Sequence, residues 1–178
     1  MKALIFLMPF LLINSCKTSQ PDLVTSKPNT MGQTINTNSD CPEGGICTVE
    51  VHKNKKLTML DDGTGALYPE MIEGDAIVVA YTYSKKGPEG TVDGNYSETI
   101  HFEVADGEKN FKKENLGLKD VKLVYGKHCF CKGEAGYYLI DNGKLLVETS
   151  GAGMHFDLNF KVGKTSQVVS HISEMVKL

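Results

Sequence analysis

The chain has 178 residues, 19 of them basic and 22 acidic, with a formal charge of −3 and no tryptophan. That slight acidity offers no cationic footprint for a phosphate backbone, which argues against nucleic acid as a partner. The length suits one domain with a real core.

At the N-terminus a single cation, Lys2, precedes an apolar run from Ala3 to Ile13, closed by Asn14 and Ser15. This is the pattern of a secretory leader, residues 1–15, and it is well short of the roughly 20 residues a spanning helix needs. The junction Leu12-Ile13-Asn14-Ser15-Cys16 resembles the lipobox of bacterial lipoprotein precursors. The resemblance implies cleavage before Cys16, acylation of its thiol and new amino group with palmitate-like chains, and a place on the bacterial cell envelope, with the outer membrane expected. Each buried lipid CH₂ contributes about 0.8 kcal/mol and stable anchoring takes more than one chain, which a triacylated cysteine supplies. The alternative is a plain secretory signal with an incidental cysteine.

Residues 16–40 read as a lipidated flexible tether. They are dominated by Ser, Thr, Asn, Gln, Lys and Pro, with Leu23, Val24, Met31 and Ile35 as scattered apolar residues. Such a segment buries too little surface to offset its ordering entropy. The expected domain therefore spans 41–178.

From Cys41 onward the hydrophobic period is two. Strands are expected at Cys47–Lys53 and Lys56–Leu60, and at Ile77–Tyr83, where Val78 and Ala80 make both faces apolar. In the next, Tyr96, Ile100, Phe102 and Val104 alternate with Ser97, Thr99, His101 and Glu103. Val121–Phe130, Tyr137–Ile140 and Lys144–Thr149 follow. The clearest row is Met154, Phe156, Leu158, Phe160 and Val162, interleaved with polar residues. Asp141-Asn142-Gly143 is a hairpin signal, because Asn-Gly tolerates the positive φ of a type I′ turn. The 166–177 stretch fits either a short helix or a strand. About eight short strands at this spacing predict an all-β fold, an antiparallel β-sandwich or barrel.

Four cysteines remain after the anchor: Cys41, Cys47, Cys129 and Cys131. An even number in an exported domain reads as a disulfide framework. In a strand, Cys129 and Cys131 would point the same way with Cα atoms near the upper limit for a bridge, so a local pairing strains. The favoured expectation is crossed pairing of Cys41 and Cys47 with Cys129 and Cys131, closing long loops worth up to roughly 4–5 kcal/mol. The rival is a metal or redox site at His128, Cys129 and Cys131, although Cys-x-Cys is not the usual zinc spacing and no Cys-x-x-Cys is present.

His52, His101 and His155 would converge on a metal only if their strands were neighbours; solvated faces are the simpler reading. Turn chemistry explains Asp61-Asp62-Gly63-Thr64-Gly65 and Asp93-Gly94-Asn95, which lack EF-hand spacing. Gly163-Lys164-Thr165 has Leu158 where a phosphate loop needs its first glycine. Glu103 and Asp157 would pair only on adjacent strands. The stretch from Lys127 to Tyr138 is the densest unusual segment, and His128, Phe130, Tyr137 and Tyr138 are its candidate binding residues.

Cys41-Pro42-Glu43-Gly44-Gly45-Ile46-Cys47-Thr48-Val49-Glu50-Val51, Asp93-Gly94-Asn95-Tyr96-Ser97-Glu98 and the Cys-x-Cys segment, together with the lipobox, resemble small uncharacterised lipoproteins of the Bacteroidetes. The resemblance supports location and fold and transfers no activity. The sequence thus leads to a lipid-anchored envelope binding or structural accessory module, with no catalytic residue, cofactor or metal assigned and an envelope protein or small ligand as partner. The alternatives are a small apolar-ligand carrier and the metal or redox site.

Overall fold

The computed structural model describes residues 33–37, 40–151 and 153–178. The leader, the lipidation site Cys16 and most of the tether lie outside them. Among the described residues, ten strands form two antiparallel sheets. The larger has the order β1 (Gln33–Thr37), β2 (Ile46–Asp61), β3 (Leu67–Lys85), β4 (Tyr96–Val104), β6 (Val124–His128), β7 (Gly136–Leu139). The smaller runs β10 (His171–Lys177), β9 (Gly153–Phe160), β8 (Gly143–Ser150), β5 (Asn110–Glu114). The all-β sandwich expected from the period of two is the fold.

The core is made by the alternating residues of the two inner faces. Val79, Tyr81, Ile100, Phe102 and Tyr125 from the larger sheet meet Leu145, Val147, Phe156, Leu158 and Ile172 from the smaller, all of them buried. Phe102 and Phe156 meet edge to face across the layers, with centroids 5.2 Å apart, an arrangement favoured by the ring quadrupoles.

Four features go beyond the sequence reading or depart from it. Gln33–Thr37, assigned by composition to the tether, is an edge strand with Ile35 opposite Val49, so the sheet begins before Cys41. The ambiguous C-terminus is a strand, with Ile172 opposite Leu158 and Val176 opposite Met154. Asp141-Asn142-Gly143 is not a hairpin turn: β7 pairs with β6 and β8 with β9 and β5, so the segment is a corner carrying the chain between sheets. Asn142 O accepts from Lys161 N at 3.0 Å and Asn115 Oδ1 from Gly143 N at 3.3 Å, tertiary partners that local propensity does not register.

The fourth is the length of β2 and β3, whose ladder extends far beyond the rest of the sheet. The register slips between Lys53 and Lys55, where Asn54 takes a left-handed conformation (φ 57°). Such a bulge bends a ladder. Beyond it the distal half of the hairpin, hereafter the arm, is laid against the outer face of its own sheet. Leu57 N donates to Glu103 Oε2 on β4 at 2.8 Å, and Lys122 Nζ donates to Leu57 O and Glu103 Oε2, both at 2.9 Å. The arm's tip is turned as its sequence suggests: Asp61 Oδ1 accepts from Gly63 N at 2.6 Å, and Asp62 Oδ1 from Thr64 N at 2.8 Å. These carboxylates satisfy backbone donors, as turn chemistry requires.

Candidate functional site at the loop-bearing end

Three connections gather at one end of the larger sheet: residues 40–45 before β2, 86–95 between β3 and β4, and 129–135 between β6 and β7. They wall a cleft of about 880 Å³. Its floor is one outward-facing row in register across four strands, Ile46, Ser84, Ser97 and His128. Gly44 (φ 77°) and Gly45 bring the first loop close to the sheet; a Cβ at Gly45 would strike the Tyr83 ring. Three apolar side chains of the lining are exposed, Ile46 at the edge of that row (61% exposed) and Val92 (91%) and Phe130 (89%) on the loops. Exposure of this order at three places around one cleft marks an interaction surface more readily than a scatter of single residues would.

The cysteines are arranged locally. Cys41 pairs with Cys47 and Cys129 with Cys131, both at disulfide distance, with Cα atoms 5.7 and 5.2 Å apart. The crossed pairing is therefore corrected. Cys47 is on β2 and Cys129 follows β6, with β3 and β4 between them, so three strand spacings of about 4.8 Å separate the two segments. The strain expected of the Cys129–Cys131 pair assumed a continuous strand. β6 ends at His128 instead, and the bend beyond it brings the two Cα atoms within bridging range.

Beneath the cleft lies a buried polar network that the sequence reading missed. Glu98 is fully buried, pointing inward from β4. Its Oε1 accepts from Val168 N at 2.6 Å and its Oε2 from Val169 N at 2.8 Å, while the Tyr96 hydroxyl donates to the same carboxylate. Lys127, opposite Glu98 on β6 and 3% exposed, reaches Glu134 Oε2 (2.5 Å), Ser166 Oγ (2.7 Å) and Ser166 O (3.0 Å). Two charged residues thus clamp the connection from β9 to β10 onto the larger sheet. Burial, and then the Glu98 carboxylate, raise the Tyr96 and Tyr125 phenols. The Lys127 ammonium, with the Ser166 hydroxyl, draws Glu134 down to about 2. The signal was in the alternation itself: position 98 falls in the inward register of Tyr96, Ile100, Phe102 and Val104.

The four candidate binding residues divide. His128 and Phe130 line the cleft. Tyr137 projects from β7 on the outer face, edge-on to the His128 ring at 5.3 Å. Tyr138 turns inward, 6.3 Å from the Tyr125 ring, and its hydroxyl donates to Glu134 O at 2.8 Å, so it belongs to the core.

The three histidines do not converge. His155 lies on β9 of the smaller sheet, 3.3 Å from Ser173 Oγ. His52 and His101 share the outer face of the larger sheet on either side of β3. His52 Nε2 is 3.3 Å from Glu50 Oε2, in ion-pair range but without hydrogen-bond alignment, and His101 Nδ1 is buried without a hydrogen-bond partner among the described residues. Glu103 and Asp157 also belong to different sheets; Glu103 pairs with Lys122 and Asp157 with His171, at 3.1 Å. Among the described residues no group of three or more His, Cys, Asp or Glu side chains is placed to hold a metal ion.

Burial, reinforced by His52 and then His128 and opposed by Glu50, pushes His101 down to about 4 from an ordinary 6.5. A neutral imidazole is thus favoured in the folded state. Its contribution to stability is complete above pH 6.5 and is lost as pH falls toward 4, where the unfolded chain takes up a proton that the native protein refuses. The loss should reach about 3 kcal/mol. Urea titrations across this window should show that slope in the natural protein and a shallower one in His101→Gln; parallel profiles would remove His101 from the account.

Comparison with protein families, curated proteins and solved structures finds no match for this chain.

Proposed function

We propose that this protein is a lipid-anchored accessory module of a bacterial cell envelope that binds a protein partner through the loop-bearing end of its sandwich. The anchor rests on the leader and the junction at Cys16. The binding role rests on one observation: Ile46 at the start of β2 and Val92 and Phe130 on two loops expose apolar surface together around a single cleft, carried by a packed scaffold. Loops on a rigid sandwich are a common way to present recognition residues. The inner faces of the two sheets are filled by large buried side chains such as Tyr125, Phe102 and Phe156, which favours recognition at the surface over carriage of a ligand between the sheets.

A photo-crosslinking amino acid at position 130, in cells making the full chain, tests the reading. One dominant protein adduct is expected in the membrane fraction, absent when the probe sits at the exposed Asn159 and lost on Val92→Asp. Adducts indifferent to Val92→Asp would reject the site. A Cys16→Ala chain that stays membrane-bound would reject the anchor.

A further inference from the structure

The two cysteine pairs differ in burial and in what they join. Cys47 is 1% exposed, and the buried Tyr81 hydroxyl donates to its Sγ at 2.9 Å. This pair ties the segment before β2 to the strand itself, with the Cys47 sulfur shielded and Cys41 partly buried against the core. Cys129 and Cys131 enclose one residue, so their bond joins no two elements of the fold, and the chain entropy it removes is small. Both are partly exposed, on a loop whose middle residue, Phe130, stands almost wholly in solvent. Cys129 lines the cleft described above, beside His128. Exposed bridges with little structural work to do are the ones that exchange.

We propose that Cys129 and Cys131 form an exchangeable disulfide that oxidises substrate thiols presented in the cleft at the loop-bearing end. The proposal is independent of the lipid anchor. A substrate thiolate attacks Cys129 Sγ, the sulfur on the cleft side; the Cys129–Cys131 bond breaks, and Cys131 leaves as a thiolate that takes a proton from solvent. A second substrate thiolate then attacks the substrate sulfur of the mixed disulfide, forming the substrate's own S–S bond and releasing Cys129. Two electrons pass from two substrate thiols to the protein's disulfide, and no other oxidant is needed for this single turnover. Attack requires the thiolate. His128, which burial holds below its ordinary range, offers a neutral imidazole in the cleft lining to take the thiol proton. Lys132, exposed next to Cys131, places a cation near the departing thiolate.

The test uses the full chain extracted in detergent and equilibrated without denaturant in graded ratios of reduced to oxidised dithiothreitol. Free thiols are then alkylated and mapped by peptide mass. Cys129 and Cys131 should become labelled at a ratio about tenfold or more below that needed for Cys41 and Cys47, with the β circular-dichroism signal unchanged. Cys131→Ser leaves Cys129 as a free thiol, which should accumulate a mixed disulfide on exchange with a peptide disulfide or with oxidised glutathione, its thiolate displacing one half of that disulfide as a thiol. Faster trapping of the peptide would assign a polypeptide substrate and the reverse a small thiol, and either result supports exchange. Reduction of both pairs together, only as the fold is lost, would overturn the proposal. So would isolation of Cys129 and Cys131 as free thiols without reductant, or failure of the Cys131→Ser protein to form any adduct.

Discussion

Glu98→Ala is expected to destabilise the fold by about 3–5 kcal/mol, a cost comparable to breaking a buried ion pair by removing one partner. The substitution strips acceptors from Val168 N, Val169 N and the Tyr96 hydroxyl, all in the region where the β9–β10 connection meets the larger sheet. Each unsatisfied buried donor costs about 1–3 kcal/mol. Glu98→Gln keeps one acceptor oxygen and should recover part of the loss. The reciprocal truncation, Lys127→Ala, removes the cation that holds Glu134 and Ser166 and should loosen the same connection. Equilibrium denaturation measures the energies, and the Glu98→Ala protein should also lose amide protection at Val168 and Val169. If Glu98→Ala and Glu98→Gln both stay within about 0.5 kcal/mol of the natural protein, the range of an ordinary surface change, the carboxylate does not hold the connection.

Leu158→Ala should cost about 2–5 kcal/mol, the range for emptying a fully packed aliphatic site. Leu158 is 0% exposed and lies between Leu145 on β8 and Ile172 on β10, its partners in register. Two strands flank the site, so collapse around the cavity is restricted and the upper part of the range is expected. Asn159 is the control: one residue along, it faces solvent, and its amide donates to Asp157 Oδ1 at 3.1 Å in an exposed pair. Asn159→Ala should therefore stay within about 0.5 kcal/mol. Equal losses for the two substitutions would mean that the strand's inward face is wrongly assigned.

Legibility in the sequence followed the reach of each signal. The row from Met154 to Phe160 could be read because one face of β9 meets the core and the other meets solvent, so burial and alternation coincide. In β3 the stretch Ile77–Tyr83 was legible as a strand apolar on both faces, and Val78 and Val79 are both fully buried, but its distal part from Leu67, mostly exposed, was not read. β5 passed unnoticed because Asn110–Glu114 is mostly charged, and only its pairing with β8 makes it a strand. At the site, the aromatic and cysteine-rich character of 127–138 drew attention to His128 and Phe130 correctly, yet said nothing of Ile46 and Val92, which the sheet brings to the same cleft from elsewhere in the chain. Cysteine connectivity was misjudged because it depends on strand order, and strand order is a tertiary fact. Glu98 was passed over because an inward glutamate breaks the pattern that locates the other inward residues.

The bent hairpin bears on the order in which the molecule assembles. β2 and β3 are neighbours in the chain, joined through the Asp62–Ala66 turn, so their long ladder closes a short loop and can zip at low entropic cost. The surface on which the arm comes to rest does not yet exist at that moment, because Glu103 and Lys122 arrive with later parts of the chain. Docking of the arm must therefore follow formation of the sheet that it covers. Its release is a separate, smaller opening than the parting of the two sheets, and one that leaves the sandwich itself intact.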